Sequence, residues 1–160
     1  MLYGVIPEGE SYIAPNMLYL QTGETYSCLG FLDIKDSNKT EITIDPSHMG
    51  NLVDSIGDFA FSKNESLEKV TLSNQIKIIK QEAFLDCTSL KEIDLGDGVE
   101  KIGDFAFGYC AFEEITIPAS CTEIGRFVFW YCTKLTTIYY EGTVEQWGEI
   151  TFGTDRKSVV

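Results

Sequence analysis

Histidine is nearly missing from this chain: His48 stands alone, and no two of its five cysteines are spaced C-x-x-C. Zinc and iron–sulfur sites lack their usual ligand spacing as a result. Basic side chains are scarce too, 12 Lys and Arg against 25 Asp and Glu, for a formal net charge of −13. Such a balance repels phosphate backbones and argues against nucleic-acid binding. It equally disfavours anionic lipid surfaces. No apolar run approaches the ~20 residues of a membrane helix, so membrane insertion is not expected. The opening stretch, MLYGVIPEGESYIA, has neither a basic n-region nor a long apolar h-region and does not read as a signal peptide. Two alternatives stay open: a cytoplasmic protein, or the mature or trimmed part of an exported one. There is no G-x-S-x-G, phosphate loop or dinucleotide fingerprint. With a single imidazole, nucleophilic catalysis lacks its usual base. His48, in the stretch DPSHMGN, reads as a solvated loop histidine. The expectation is a chain with no catalytic residues, no cofactor and no metal.

What the sequence has in abundance is repetition, and repeats decide a fold before anything else does. Segments beginning at Ile56, Ile79, Ile102 and Ile124 start 23, 23 and 22 residues apart. Their shared pattern is I-G-x-x-A-F-x-x-C-x-x-L-x-x-I-x-I-x-x-x-V. Phe61, Phe84, Phe107 and Phe129 share one column; Ala60, Ala83, Ala106 and Val128 share the one before it. Leu67, Leu90, Phe112 and Leu135 open a second apolar block. Val70, Ile93, Ile115 and Ile138 follow, with Leu72, Leu95, Ile117 and Tyr140 two residues later. The third unit is one residue short, just before Phe112.

Each unit mixes two periods. The L-x-x-I-x-I stretch ends in strict alternation, the mark of a short half-buried strand. The I-G-x-x-A-F stretch spaces its apolar residues for a tight helical or 3-10 turn packed by one face. One strand and one turn per ~23 residues make a coil of a leucine-rich-repeat solenoid, whose apolar edges are buried only by stacking. The fold class expected is α/β: a right-handed solenoid with a short parallel sheet on one face and tight turns, 3-10 turns or short helices on the other.

The register extends both ways. Glu41–Ile44 supplies an upstream strand, and its connection to Ile56 is five residues longer than the matching step from Leu72 to Ile79. Downstream, Trp147 falls in the isoleucine column and Phe152 in the phenylalanine column, which predicts a partial fifth coil starting at Trp147. LYLQTGETYSCLGF reads as a β-hairpin turning at Thr22-Gly23-Glu24. The expected organisation is a capping segment over 1–41 that contains this hairpin, a solenoid over 42–152 and a tail over 153–160.

The pattern I-G-x-x-A-F-x-x-C-x-x-L-x-x-I-x-I-P resembles the BspA-like, or Treponema pallidum-type, leucine-rich repeats over roughly residues 42–152. IGDFAFGYCAFEEITIPASCTEIG and IYYEGTVEQWGEI are similar to that family's repeats. The resemblance implies a bacterial, often host-associated source and an exported surface or secreted protein that binds other proteins or mediates adhesion. It supplies no catalytic residue. Asn64 in the cysteine column and Lys80 in the glycine column depart from the pattern.

Cys87, Cys110 and Cys132 each lie three residues after the column phenylalanine, where the first unit has Asn64. A small buried side chain with weak hydrogen-bonding ability explains both residue types. Stacked coils bring equivalent Cα atoms to ~5 Å, within disulfide reach. Parallel side chains would strain the S–S torsion, so free thiols are expected.

If Val70 and Leu72 point inward, Lys69 and Thr71 point outward. Their stacked equivalents are Glu41 and Thr43, Glu92 and Asp94, Glu114 and Thr116, and Thr137 and Tyr139. This exposed strip is the candidate partner site, with Glu92, Asp94 and Glu114 as an acidic patch; the plain alternative is a solvated sheet face. Oxygen ligands on flat strands do not wrap a calcium ion. The partner class expected is a protein, either host extracellular or another surface protein. The alternatives are a glycan-binding module using Tyr109, Trp130 and Tyr131, and a structural segment of a longer array.

Overall fold

A computed structural model describes residues 17–31, 39–44, 46–48 and 50–153. The strands in chain order are β1 (Met17–Thr22), β2 (Thr25–Phe31), β3 (Glu41–Ile44), β4 (Ser47–His48), β5 (Asn51–Ile56), β6 (Lys69–Leu72), β7 (Ile78–Ile79), β8 (Glu92–Asp94), β9 (Lys101–Ile102), β10 (Glu114–Ile117), β11 (Glu123–Ile124) and β12 (Thr137–Tyr140). A short helix α1 (Val144–Glu149) and β13 (Thr151–Phe152) follow. Residues 1–16 and most of the tail lie outside the described residues, as does part of the capping segment.

The coils form a leucine-rich-repeat solenoid. The alternating stretch of each repeat makes the front strand. β3, β6 and β8 pair in parallel, with Ile42, Val70 and Ile93 side by side. β10 and β12 pair likewise, with Ile115 beside Ile138. Between β8 and β10 the front sheet is interrupted, so the strip expected across five coils is two ladders, of three strands and of two. The interruption coincides with the short third repeat. Phe107 keeps its place in the ring column, so the missing residue falls between Cys110 and Phe112, on the path into β10. That path is one residue shorter than the one into β8, and a residue of extended chain spans ~3.3 Å.

A second, unbroken ladder runs along the back. It joins β2, β5, β7, β9, β11 and β13 in parallel, with β1 added to β2 as an antiparallel hairpin. In it Cys28, Ile56, Ile79, Ile102, Ile124 and Phe152 lie in one row. The hairpin therefore continues the solenoid, and Cys28 takes the isoleucine position. Gly23, at φ 81°, makes the tight turn that the sequence predicts. The expected fifth-coil register needs correction. Phe152, not Trp147, stands beside Ile124. Trp147 belongs to α1, which starts at Thr143 in a capping box with Gln146 and lengthens the connection. The longer connection after Ile44 folds as a small hairpin, β4 against β5, turning at Gly50.

The I-G-x-x-A-F stretch forms tight turns. In every coil the third and seventh residues after the isoleucine have positive φ, between 54° and 63°, and none is glycine. They are Phe59 and Lys63, Glu82 and Asp86, Phe105 and Tyr109, Phe127 and Tyr131. Left-handed backbone costs an L-residue ~1–2 kcal/mol. The compensation is a set of rungs to the next coil. Phe59, Phe61 and Lys63 donate their N–H groups to the carbonyls of Gln81, Ala83 and Leu85 at 3.1, 2.8 and 2.7 Å. The same three rungs recur between the second and third coils and between the third and fourth.

The core between the two ladders is a stack of columns. Phe61, Phe84, Phe107 and Phe129 stack with centroids 5.2, 5.6 and 5.9 Å apart. Ala83 and Ala106, fully buried beside them, keep the turn close to the core. In the shortened coil Phe112 replaces leucine and meets Phe107 edge-on at 5.7 Å, filling volume that the missing residue vacates. Fully burying a side chain of Leu, Ile or Phe size stabilises by ~1.5–3 kcal/mol, so these columns hold the coils together. Ile93 is the exception to the expected register: it is only partly buried, because no strand covers it on the side of β10.

Candidate functional site

Alternation along the front strands turns Ile42, Ile44, Val70, Leu72, Ile115 and Ile117 inward and leaves their neighbours outside. Glu41 and Thr43 are exposed, as are Glu92 and Asp94 and also Glu114 and Thr116; Lys69, Thr71 and Thr137 are half-buried. Tyr139 is 52% exposed and is the large ring on this face. Glu41, Lys69 and Glu92 form one cross-strand row, and Thr43, Thr71 and Asp94 the next. Glu114 faces Thr137, and Thr116 faces Tyr139, across the second ladder. The ten candidate residues thus form a group of six and a group of four, on either side of the interruption.

The charges on this face are partly neutralised. Lys69 bonds Glu92 at 2.5 Å, and one row away Lys91 bonds Glu68 at 3.2 Å, so two ion pairs stitch β6 to β8. The hydrogen bond that Lys69 donates to Glu92 raises the pKa of Lys69 above its ordinary value, with the charges of Glu92, Glu41 and Asp94 adding to it. Exposed pairs of this kind contribute little to stability. The acidic patch expected at Glu92, Asp94 and Glu114 therefore loses Glu92 to Lys69.

Sequence reasoning missed the depression at the interruption. A shallow groove of about 570 Å³ lies between β8 and β10, edged by Lys91, Glu92, Glu114 and Lys134 and floored by Ile93 and Ile115. A second, of about 320 Å³, continues it past Asp94 and Thr116 to Asp97 and Glu141. The signal was available: the one-residue deficit before Phe112 marks where the stack changes.

On the turn side, five rings touch. Phe105 stacks on Phe127 at 5.3 Å, Tyr109 stacks on Tyr131 at 5.2 Å, and Trp130 meets Phe105, Tyr109 and Tyr131 edge-on at 5.5, 5.4 and 5.2 Å. Tyr109, Phe127, Trp130 and Tyr131 are 37%, 37%, 41% and 60% exposed. Tyr140 and Trp147 instead pack together at 5.2 Å, half-buried against the core.

All five cysteines are free and buried. The column cysteines bond backwards by one coil: Cys87 Sγ to the Phe61 carbonyl at 3.1 Å, Cys110 to Phe84 at 3.3 Å and Cys132 to Phe107 at 3.0 Å. Asn64 fills the same column by accepting from the N–H groups of Ser66 and Leu67 at 2.9 and 3.0 Å. Among the described residues no group of three or more His, Cys, Asp or Glu side chains is arranged to hold a metal ion. No helix among them is long and apolar enough to cross a membrane.

The family model for the BspA type leucine rich repeat region matches residues 54–157 in six copies. The chain belongs to this family. A Bacteroides capillosus leucine-rich repeat protein superposes with a TM-score of 0.69 at 26% identity, over 82% of this chain and 98% of that one. The Treponema pallidum leucine-rich repeat protein does so at 0.64 and 22%, over 81% and 71%. A leucine rich cell surface protein from Faecalibacterium prausnitzii gives 0.56 and 23%, over 87% of this chain and 41% of its own length. Among curated proteins no match is found. Repeats of this family are generally non-catalytic, and their proteins commonly serve as protein-interaction or surface modules.

Proposed function

We propose that the chain is a non-catalytic adhesion or protein-interaction module of a bacterial surface protein, binding a protein partner through its front strand face. The observation that carries this reading is the outward row of side chains on β3, β6, β8, β10 and β12, with Tyr139 half-exposed among acids and threonines. Interfaces take most of their energy from a few anchors, tyrosine prominent among them. The cell-surface character of the Faecalibacterium prausnitzii relative supports an extracellular setting. Candidate partners are host extracellular proteins and other surface proteins. With a partner isolated by pull-down, Tyr139→Ala and the double change Glu92→Lys/Glu114→Lys should each weaken binding while the fold persists. Intact affinity in both would remove the strand face from consideration.

The five-ring cluster favours a second reading, a glycan-binding or edge-binding surface on the turn side. Exposed rings stack on sugar faces and anchor partners alike. Loss of binding on Trp130→Ala or Tyr131→Ala, with Tyr139→Ala silent, would select it.

A further inference from the structure

We infer that the wall of stacked turns pairs two copies of this chain, one solenoid running against the other, so that the exposed rings of each are covered by its partner. The inference goes beyond the strand-face reading, which uses a different side of each coil.

The turns make a sheet-like surface. The third, fifth and seventh residues after each isoleucine donate to the next coil through rungs of 2.7–3.1 Å, continuous over four coils. The fifth residue of each, a phenylalanine, is buried, and the third and seventh stand outside it in two parallel rows. Eight large apolar side chains are exposed among the described residues, and five of them stand on this wall: Phe59, Tyr109, Phe127, Trp130 and Tyr131. Exposed apolar area gathered on one face marks an interface. Phe105 stacks on Phe127 and Tyr109 on Tyr131 with interplanar angles of 28° and 9°, which spends ring faces on each other and turns edges outward. A flat sugar ring finds less to stack on here than side chains find to pack against.

The order of residues along the two rows is what selects a second copy. One row reads Phe59, Glu82, Phe105, Phe127 and the other Lys63, Asp86, Tyr109, Tyr131. A two-fold axis across the rows, between the second and third coils, reverses each row against itself and makes one self-complementary contact. Phe59 then meets Phe127, Lys63 meets the hydroxyl of Tyr131, and Asp86 meets the hydroxyl of Tyr109. Glu82 meets the outward edge of Phe105, the electropositive part of a ring. A two-fold axis along the rows instead sets Glu82 against Asp86, like charge against like. The reversed pairing therefore places each carboxylate against a ring and not against another carboxylate. Four coils, with rings 5.2–5.9 Å apart, make a short wall beside the roughly 800 Å² per partner of a standard interface. The dimer is accordingly weak, with a dissociation constant on the order of tens of micromolar.

Sedimentation velocity on the whole chain, from about 5 to about 500 µM, reads the association directly. A concentration-dependent dimer is expected. Each copy carries a formal charge of −13, so the dimer should tighten between about 0.1 and about 1 M salt, where the screening length falls from ~10 to ~3 Å. Tyr131→Ala and Phe59→Ser should each weaken it at least roughly tenfold, with far-UV circular dichroism unchanged, while Tyr139→Ala on the strand face leaves it intact. The register is tested by oxidising a mixture of the Lys63→Cys and Tyr131→Cys chains, whose five native thiols are buried. The mixture should give a disulfide-linked heterodimer, and neither variant alone a linked homodimer. A monomer at every concentration in both salts would overturn the proposal. So would linked homodimers from either single variant, or self-association that the folded wall variants leave undiminished. If Tyr131→Ala does not fold, Phe59→Ser decides. Partner capture that depends on Tyr139 is a separate readout, so the strand-face reading survives a monomeric result and fails on its own test.

Discussion

Cys110 donates its thiol hydrogen to the carbonyl of Phe84, one coil earlier, at 3.3 Å. The bond needs a protonated sulfur. Burial pushes the thiols of Cys28 and Cys87 up to about 12, and those of Cys121 and Cys132 up to about 11. The fold thus binds protons that the unfolded chain, with thiols near their ordinary value of 9.0, releases first. Stability from this source is complete below that value and falls as pH rises toward 11–12. Denaturant midpoints should therefore drop progressively above about pH 9. A thiol titration should find close to five groups in denatured, unreduced protein and almost none reacting quickly in folded protein at neutral pH. A denatured count of three or one would mean that disulfides exist.

Leu90 and Thr71 test the register of the front strands. Leu90 is fully buried, and Thr71 is on the outer face. Leu90→Ala should cost about 2–5 kcal/mol by chemical denaturation, and Thr71→Ala less than about 1. Ile93→Ala should cost clearly less than Ile115→Ala, since only the latter empties a closed site. Equal losses from Leu90→Ala and Thr71→Ala would refute the inward and outward assignment.

Much of this was written in the columns. Inward Val70 and outward Lys69 follow from two-residue alternation, and the phenylalanine and cysteine columns from simple recurrence. What escaped was geometry without a residue signature. Phe59, Glu82, Phe105 and Phe127 share a left-handed backbone that their side chains do not announce, so the stretch reads as a helical turn. Trp147 matches the isoleucine column by counting, yet Thr143 and Gln146 cap a helix that moves Phe152 into that place. The short third repeat was visible, but the split it accompanies depends on how one backbone path meets another in space. The ten strip residues were legible as outward-facing; Lys134 and Glu141 were not, because nothing in the repeat pattern brings them to a groove edge.

Lys63 offers a test of the left-handed turns. Replacing an exposed residue with glycine ordinarily destabilises by ~0.5–1 kcal/mol through chain entropy. At Lys63, with φ 63°, glycine also removes left-handed strain of ~1–2 kcal/mol. Lys63→Gly should therefore be neutral or stabilising by up to about 1 kcal/mol in thermal or urea unfolding. A loss near 1 kcal/mol would argue against positive φ at this position.

The hairpin meets the first coil at Gly30, which packs against the backbone of Ala60. Gly30 has φ 104°, and a Cβ there would lie 1.9 Å from the carbonyl oxygen of Ala60. That oxygen is backbone and cannot swing aside, so Gly30→Ala must part β2 from the coil it packs on. Gly50 has φ 77° but no atom within 4 Å of a Cβ, so Gly50→Ala meets backbone strain alone. The expected costs are about 1–2 kcal/mol for Gly50→Ala and more than about 3 for Gly30→Ala. Hydrogen exchange should locate the damage: in Gly30→Ala the amides of β2 and β5 should lose protection while those of β9 and β11 keep it. Equal and uniform destabilisation by the two changes would show that the hairpin does not seat against Ala60.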